Sequence, residues 1–114
     1  MFKKGFGDWT QYRELPNSRE VDMHFGQREE GLYGENMDQN YDLALRELTE
    51  AQQQGVQYVI FLHGSSTSRP GKTTTRSQVR KLMRSPAATP YIRRGECIQH
   101  ESIFVAAIRP PPGA

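Results

Sequence analysis

The chain has one cysteine, Cys97, in 114 residues. A single thiol forms neither an intramolecular disulfide nor a two-cysteine metal clip, which fits a reducing compartment and a fold held by packing alone. Long apolar runs are missing too: the longest, Ile103 to Ile108, has six residues and Tyr58 to Leu62 five, against the roughly 20 that a bilayer span requires. Mean hydropathy is −0.78, so a soluble, cytoplasmic protein with no membrane partner is expected. Met1-Phe2-Lys3-Lys4 has the charge of an export signal's start, but Gly5-Phe6-Gly7-Asp8 stands where the apolar region would be. Core-forming side chains are scarce as well. Leu, Ile, Val and Phe make up 22 of 114 residues, about 19%, just under the composition floor of about 20% for folded chains. Strong self-repulsion is absent, however, because the net charge is only +2, so a small core under a polar coat is expected rather than disorder. At this length a single domain is expected.

What is present is charge, unevenly placed. Up to Gly55 there are 6 Lys and Arg against 11 Asp and Glu, net −5, and after it 9 against 2, net +7. Between Arg69 and Arg94 lie eight basic residues, Arg69, Lys72, Arg76, Arg80, Lys81, Arg84, Arg93 and Arg94, with no acid among them. Solvated helix faces usually interleave both signs, since opposite charges at i,i+4 help and like charges cost a little. An acid-free run is instead the footprint that a polyanion such as nucleic acid would meet.

Along the chain, residues 1–19 hold glycines, Pro16 and scattered aromatics without a period and are taken as an N-terminal arm that packs on the body. Residues 20–109 form the domain, and 110–114, Pro-rich, a flexible tail. Glu20 to His24 alternates as a short strand does, with Val21 and Met23 on one face and Asp22 and His24 on the other. Three glycines between Phe25 and Asn40 suggest an inserted acidic loop at 25–40, carrying Glu29, Glu30, Glu35 and Asp38. Tyr41, Ala44, Leu45, Leu48 and Ala51 have the spacing of an amphipathic helix, which Gly55 should stop. Val56 to Leu62 is β-branched and aromatic and reads as a central strand covered on both faces. A second helix is expected over Thr73 to Arg84 with a stripe of Val79, Leu82 and Met83, ended by Ser85-Pro86. A strand pair around Cys97 to Gln99 and Ser102 to Ile108 follows. The order predicts an α/β two-layer sandwich, βαβαββ, with a mixed four-stranded sheet and two helices. Parallel pairing of the first two strands would bring Asp22, His24 and His63 to one sheet edge, where open α/β sheets place ligands.

Gly64 to Gly71 followed by Lys72-Thr73 invites comparison with a phosphate-binding P-loop, but the glycine spacing is six residues rather than four and Pro70 removes an amide donor. A more general phosphate seat survives: the amides of Gly64, Ser65 and Ser66, a helix start, and Arg69 and Lys72 beside it. Arg76, Arg80 and Arg84 recur every four residues and extend that seat along one side of the helix. Two imidazoles, His24 and His63, beside bound phosphate are what phosphodiester cleavage can use, one as base and one as acid in either order, with Asp22 orienting His24. A divalent metal is a conceivable cofactor, with His100, Glu96 and Glu101 as further ligands, although no spacing typical of a metal site appears.

Val21-Asp22-Met23-His24, the amphipathic helix closing at Gly55, the apolar strand ending in His63-Gly64, the basic helix with Val79-Arg80-Lys81-Leu82 and the final strand ending Ile108-Arg109-Pro110 resemble the small MutS-related domain, Smr. The family's landmarks are LDxH and HGxG on the first two strands, and the likeness spans about residues 20 to 110. It implies an α/β sandwich that binds DNA or RNA and, in several members, nicks or cleaves it, with Asp22, His24, His63 and Gly64 as the matching positions. Ser66 replaces the second glycine of HGxG, and Phe25 stands where the family has glycine after the histidine. A side chain at 66 leaves a backbone less room to approach phosphate, so binding is expected ahead of cleavage. Two functions follow: a nucleic-acid-binding domain with endonuclease activity, or a non-catalytic adaptor that docks on nucleic acid through its basic helix and recruits a protein through its acidic loop.

Overall fold

The computed structural model describes residues 2–23, 33–64 and 75–111, with residues 33–39 described by backbone alone. Seven regular elements follow one another: β1 (Lys3–Lys4), β2 (Ser18–Asp22), α1 (Tyr33–Gln54), β3 (Tyr58–Leu62), α2 (Thr75–Arg84), β4 (Ile98–Gln99) and β5 (Ile103–Ala107). The strands form one mixed sheet in the order β1-β4-β5-β3-β2. The α/β class expected from the sequence holds. The sheet, however, has five strands rather than four, because Lys3 and Lys4 pair in parallel with Ile98 and Gln99. Two residues are too few for any periodicity to announce a strand.

The parallel pairing of β2 with β3 sets the frame for the site, with Ser18 opposite Tyr58 and Asp22 opposite Leu62. β5 runs antiparallel to β3 on its other side, placing Phe104 beside Phe61. Alternation then divides the strand residues between two cores. Val59, Phe61, Phe104 and Ala106 pack with Ala44, Leu48 and Ala51 of α1 and Val79, Leu82 and Met83 of α2, all fully buried. Ile60, Ile103 and Val105 face the other way, beneath Trp9, Tyr12 and Leu15. The N-terminal segment therefore covers the second sheet face with a short 3-10 helix, Trp9–Glu14, adding a partial third layer to the expected two. β2 also begins at Ser18, inside what composition marked as the arm.

α1 starts earlier than expected, at Tyr33 rather than after the loop to Asn40. The spacing Tyr33, Met37, Tyr41 carries the helical period upstream, and one internal glycine, Gly34, costs only about 1 kcal/mol. Its other end is as anticipated. Gly55 lies at φ +75°, the Val56 amide donates to Ala51 at 3.0 Å, and the Gly55 amide donates to Gln52 at 3.4 Å, the paired bonds of a Schellman cap. A β-carbon on Gly55 would meet nothing within 4 Å, so its cost is conformational alone. Gly55→Ala should destabilise the fold by about 1 to 2 kcal/mol, read as a lower urea midpoint at constant m-value; an unchanged midpoint would show that the helix end relaxes freely. No described helix is long and apolar enough to cross a membrane.

Candidate nucleic-acid interface

His63 follows β3 directly and continues its alternation to the helix-covered face, where it is 1% exposed. Gly64, at φ +83°, turns the chain so that its carbonyl lies 2.7 Å from His63 Nδ1. A carbonyl can only accept, so Nδ1 carries the hydrogen and, in the neutral ring, Nε2 is the bare nitrogen. Nε2 is buried and has no hydrogen-bond partner among the described residues. Burial, opposed by the Gly64 bond and reinforced by the charges of Arg80 and Arg76, lowers the imidazole pKa from 6.5 to about 4. The ring is neutral at pH 7. Gly64 also gives its amide to the Ser102 carbonyl at 2.9 Å, so this amide is not available to a phosphate, contrary to the role assigned to it from the sequence.

Asp22 and His63 reach the same sheet edge, as the parallel pairing requires, but they do not share a face. Asp22 lies in register with Leu62 and is exposed, while Met23, next along β2, is fully buried in the helix-side core. The convergence expected of Asp22 with His63 is prevented by the period of two along a strand. His24, Ser65, Ser66, Arg69 and Lys72 lie outside the described residues, as do residues 25–32 of the acidic stretch.

The basic residues of α2 are brought together. Arg76 donates to the Glu101 carbonyl at 3.3 Å, Arg80 to the His100 carbonyl at 3.2 Å, and Arg84 to Gln99 Oε1 at 3.3 Å. Successive turns of α2 thus reach Glu101 and His100 of the β4–β5 connection and Gln99 at the end of β4, among the described residues each through one long bond of a guanidinium that has five donors. No carboxylate among the described residues pairs with any of the three. Arg80 is the most enclosed of the three, and its Nε is buried without a partner among the described residues. Desolvation, then the charges of Arg76 and Arg84, hold its pKa below the usual arginine value. Such a row of like charges is relieved by an anion.

Opposite α2 stands β1. Phe2, Lys3, Lys4 and Gly5 form one side, and Arg76 and Arg80 the other, of a cleft of about 430 Å³ whose lining also includes Gln99 and Glu101. A second cleft of about 280 Å³, lined by Phe2, Arg84, Arg94 and Gln99, shares two of those residues. Lys3 and Lys4 escaped the sequence reading because their charge was weighed only as a leader's. Arg94, by contrast, is occupied by the fold, donating to the carbonyls of Met83 at 3.0 Å and Ser85 at 2.6 Å and so closing the C-terminus of α2.

His100 is also structural. Its Nε2 donates to the Gly7 carbonyl at 2.7 Å and its Nδ1 accepts from the Ser102 amide at 3.0 Å, which leaves neither nitrogen for the metal considered from the sequence. Among the described residues no group of three His, Cys, Asp or Glu side chains could hold a metal ion. Cys97 is buried, and that burial raises its thiol pKa, as for a packing residue.

In comparisons with protein-family models, curated proteins and solved structures, the chain gives no match.

Proposed function

We propose that the chain is a nucleic-acid-binding domain of Smr-like type that engages phosphates through Arg76, Arg80 and Arg84. The observation that carries this is the row itself: three guanidinium groups on successive turns of one helix, directed at the short segment Gln99 to Glu101, with no carboxylate partner among the described residues. A structural row would be expected to be neutralised, because like charges at i,i+4 cost stability. Phosphodiester cleavage, with Asp22, His24 and His63 as the catalytic group, has weaker support than binding. His63 Nε2 is the bare, base-form nitrogen, but it is enclosed, and Asp22 stands on the other face. The adaptor alternative needs the same helix for docking and differs only in lacking that chemistry.

The test is binding of labelled duplex DNA and single-stranded RNA, followed by anisotropy across a salt series, for the parent and for Arg76→Ala with Arg80→Ala. If each arginine neutralises one phosphate, the slope of log K against log salt should fall by roughly 2 on duplex and about 1.4 on single strands. Lysine at both positions should restore most of the slope. An unchanged slope in the alanine variant removes α2 from the interface.

A further inference from the structure

We propose that the groove between β1 and α2 takes a single strand of nucleic acid, with Lys4 on one wall, Arg76 and Arg80 on the other, and Phe6 at its rim as a platform for an unpaired base; this rests on the nucleic-acid reading above. Three features of the fold lead to it.

The groove has cations on both sides. Lys3 and Lys4 are exposed and line the same cleft as Arg76 and Arg80, although they are more than 70 positions away in sequence; strand alternation gives Lys4 the helix-side face it shares with Phe2 and turns Lys3 to the other. Lysines on an edge strand also discourage edge-to-edge pairing. That purpose does not require a facing row of arginines. Glu101 is the single carboxylate lining the cleft among the described residues, and it leaves the balance of that lining positive.

Aromatic side chains alternate with those cations. Phe2 lies at the junction of the two clefts, and its ring meets Phe104 edge to face, with centroids 4.9 Å apart. Phe6 is 67% exposed, the one large apolar side chain so exposed among the described residues, and Lys4 Nζ stands 5.7 Å from its ring centre. A positive groove that tracks a backbone, combined with accessible rings, is the arrangement that binds single strands without reading sequence. In a duplex the base faces are already stacked and cannot reach Phe6.

β1 is fixed in place rather than loosely attached. The Lys3 amide donates to Cys97 at 2.8 Å and the Gly5 amide to Gln99 at 2.9 Å. His100 holds the Gly7 carbonyl, and Gly5 packs so closely that a β-carbon there would sit 2.8 Å from His100 Cβ. The lysine wall is thus presented to α2 without the ordering cost that a loose arm would incur on binding.

The experiment compares the full-length parent with Lys3→Ala/Lys4→Ala and with Phe6→Ala, whose side chains are exposed and outside the core. Each is titrated against a labelled oligo(dT) of about 15 nucleotides and a mixed-sequence duplex of about 20 base pairs, across a salt series. The parent is expected to prefer the single strand. The lysine variant should lose about 0.7 from the single-strand salt slope, through Lys4, and Phe6→Ala should weaken single-strand binding by roughly tenfold while leaving duplex binding unchanged. If the parent binds but both variants match it on the single strand, the groove is overturned while binding through α2 stands. Equal losses on duplex and single strand would also overturn it, because β1 would then contact only a duplex backbone. If the parent binds neither probe, the nucleic-acid reading fails and the groove proposal with it.

Discussion

Acidified from pH 7 to pH 4, the protein should lose about 3 kcal/mol of stability through His63 alone. The imidazole titrates at 6.5 when unperturbed and at about 4 in the fold, chiefly because burial disfavours its charged form. Between those values the unfolded chain takes up a proton that the folded chain does not, so stability falls as pH falls through this window. Above pH 6.5 neither state is protonated and the contribution is fully present; below pH 4 both are, and the loss is complete. Each pH unit inside the window is worth about 1.4 kcal/mol. Urea unfolding at steps from pH 7 to pH 4, on the parent and on His63→Gln, isolates the residue, because His24 and His100 are common to both. The parent should lose about 3 kcal/mol more than the variant over that range. Parallel curves would mean that the ring is open to water in the folded state.

The same shift bears on chemistry. A general base works best with a pKa near the working pH and within about 3 Å of the proton it removes. His63 holds the right tautomer, with Nε2 bare, yet its basicity is weakened to about 4 and it is 1% exposed. Both properties favour a part in closing the C-terminal end of β3, through the Gly64 carbonyl, over proton transfer. Arg76 and Arg80, whose charges reach the ring, need no buried imidazole to attract phosphate.

Where periodicity was strong, the structure was legible in the sequence. The stripe of Ala44, Leu48 and Ala51, the stop at Gly55, the run Val59 to Leu62 and the stripe Val79, Leu82, Met83 all occupy the roles their spacing implies. Arg76, Arg80 and Arg84, four apart in sequence, do share a helix side. Local patterns gave no warning of long-range pairing. β1 consists of two lysines whose only strand signal is the partner they find in Ile98 and Gln99, and Trp9, Tyr12 and Leu15 recur every three residues, the repeat of the 3-10 segment that lays them over Ile60, Ile103 and Val105, a period that neither a strand nor an α-helix template matches. The site was misjudged for a related reason. Motif spacing placed Asp22 and His63 at one sheet edge, but register decides the face, and a difference of one residue between them puts a sheet in the way.

The N-terminal wall of the groove hangs on Phe104, and its removal should be the most damaging single truncation considered. Phe104 is fully buried beside Phe61, and Phe104→Ala should cost about 3 to 5 kcal/mol, the transfer of the ring plus the cavity it leaves. In a domain whose total stability is expected to be about 5 to 15 kcal/mol, that approaches unfolding at ambient temperature. Phe104→Leu is the more informative partner, since it keeps most of the volume and removes the ring that Phe2 meets at an interplanar angle of 85°. Such an edge-to-face pair contributes about 0.5 to 1.5 kcal/mol beyond its buried area. Lost locally, it should speed hydrogen exchange at the Lys3 and Gly5 amides, bonded to Cys97 and Gln99, by roughly tenfold, which corresponds to about 1.4 kcal/mol. Exchange at β3 amides should rise less if β1 detaches as a unit of its own. Equal acceleration in both strands would mean that β1 opens only with the whole sheet and that the lysine wall is as permanent as the core beneath it.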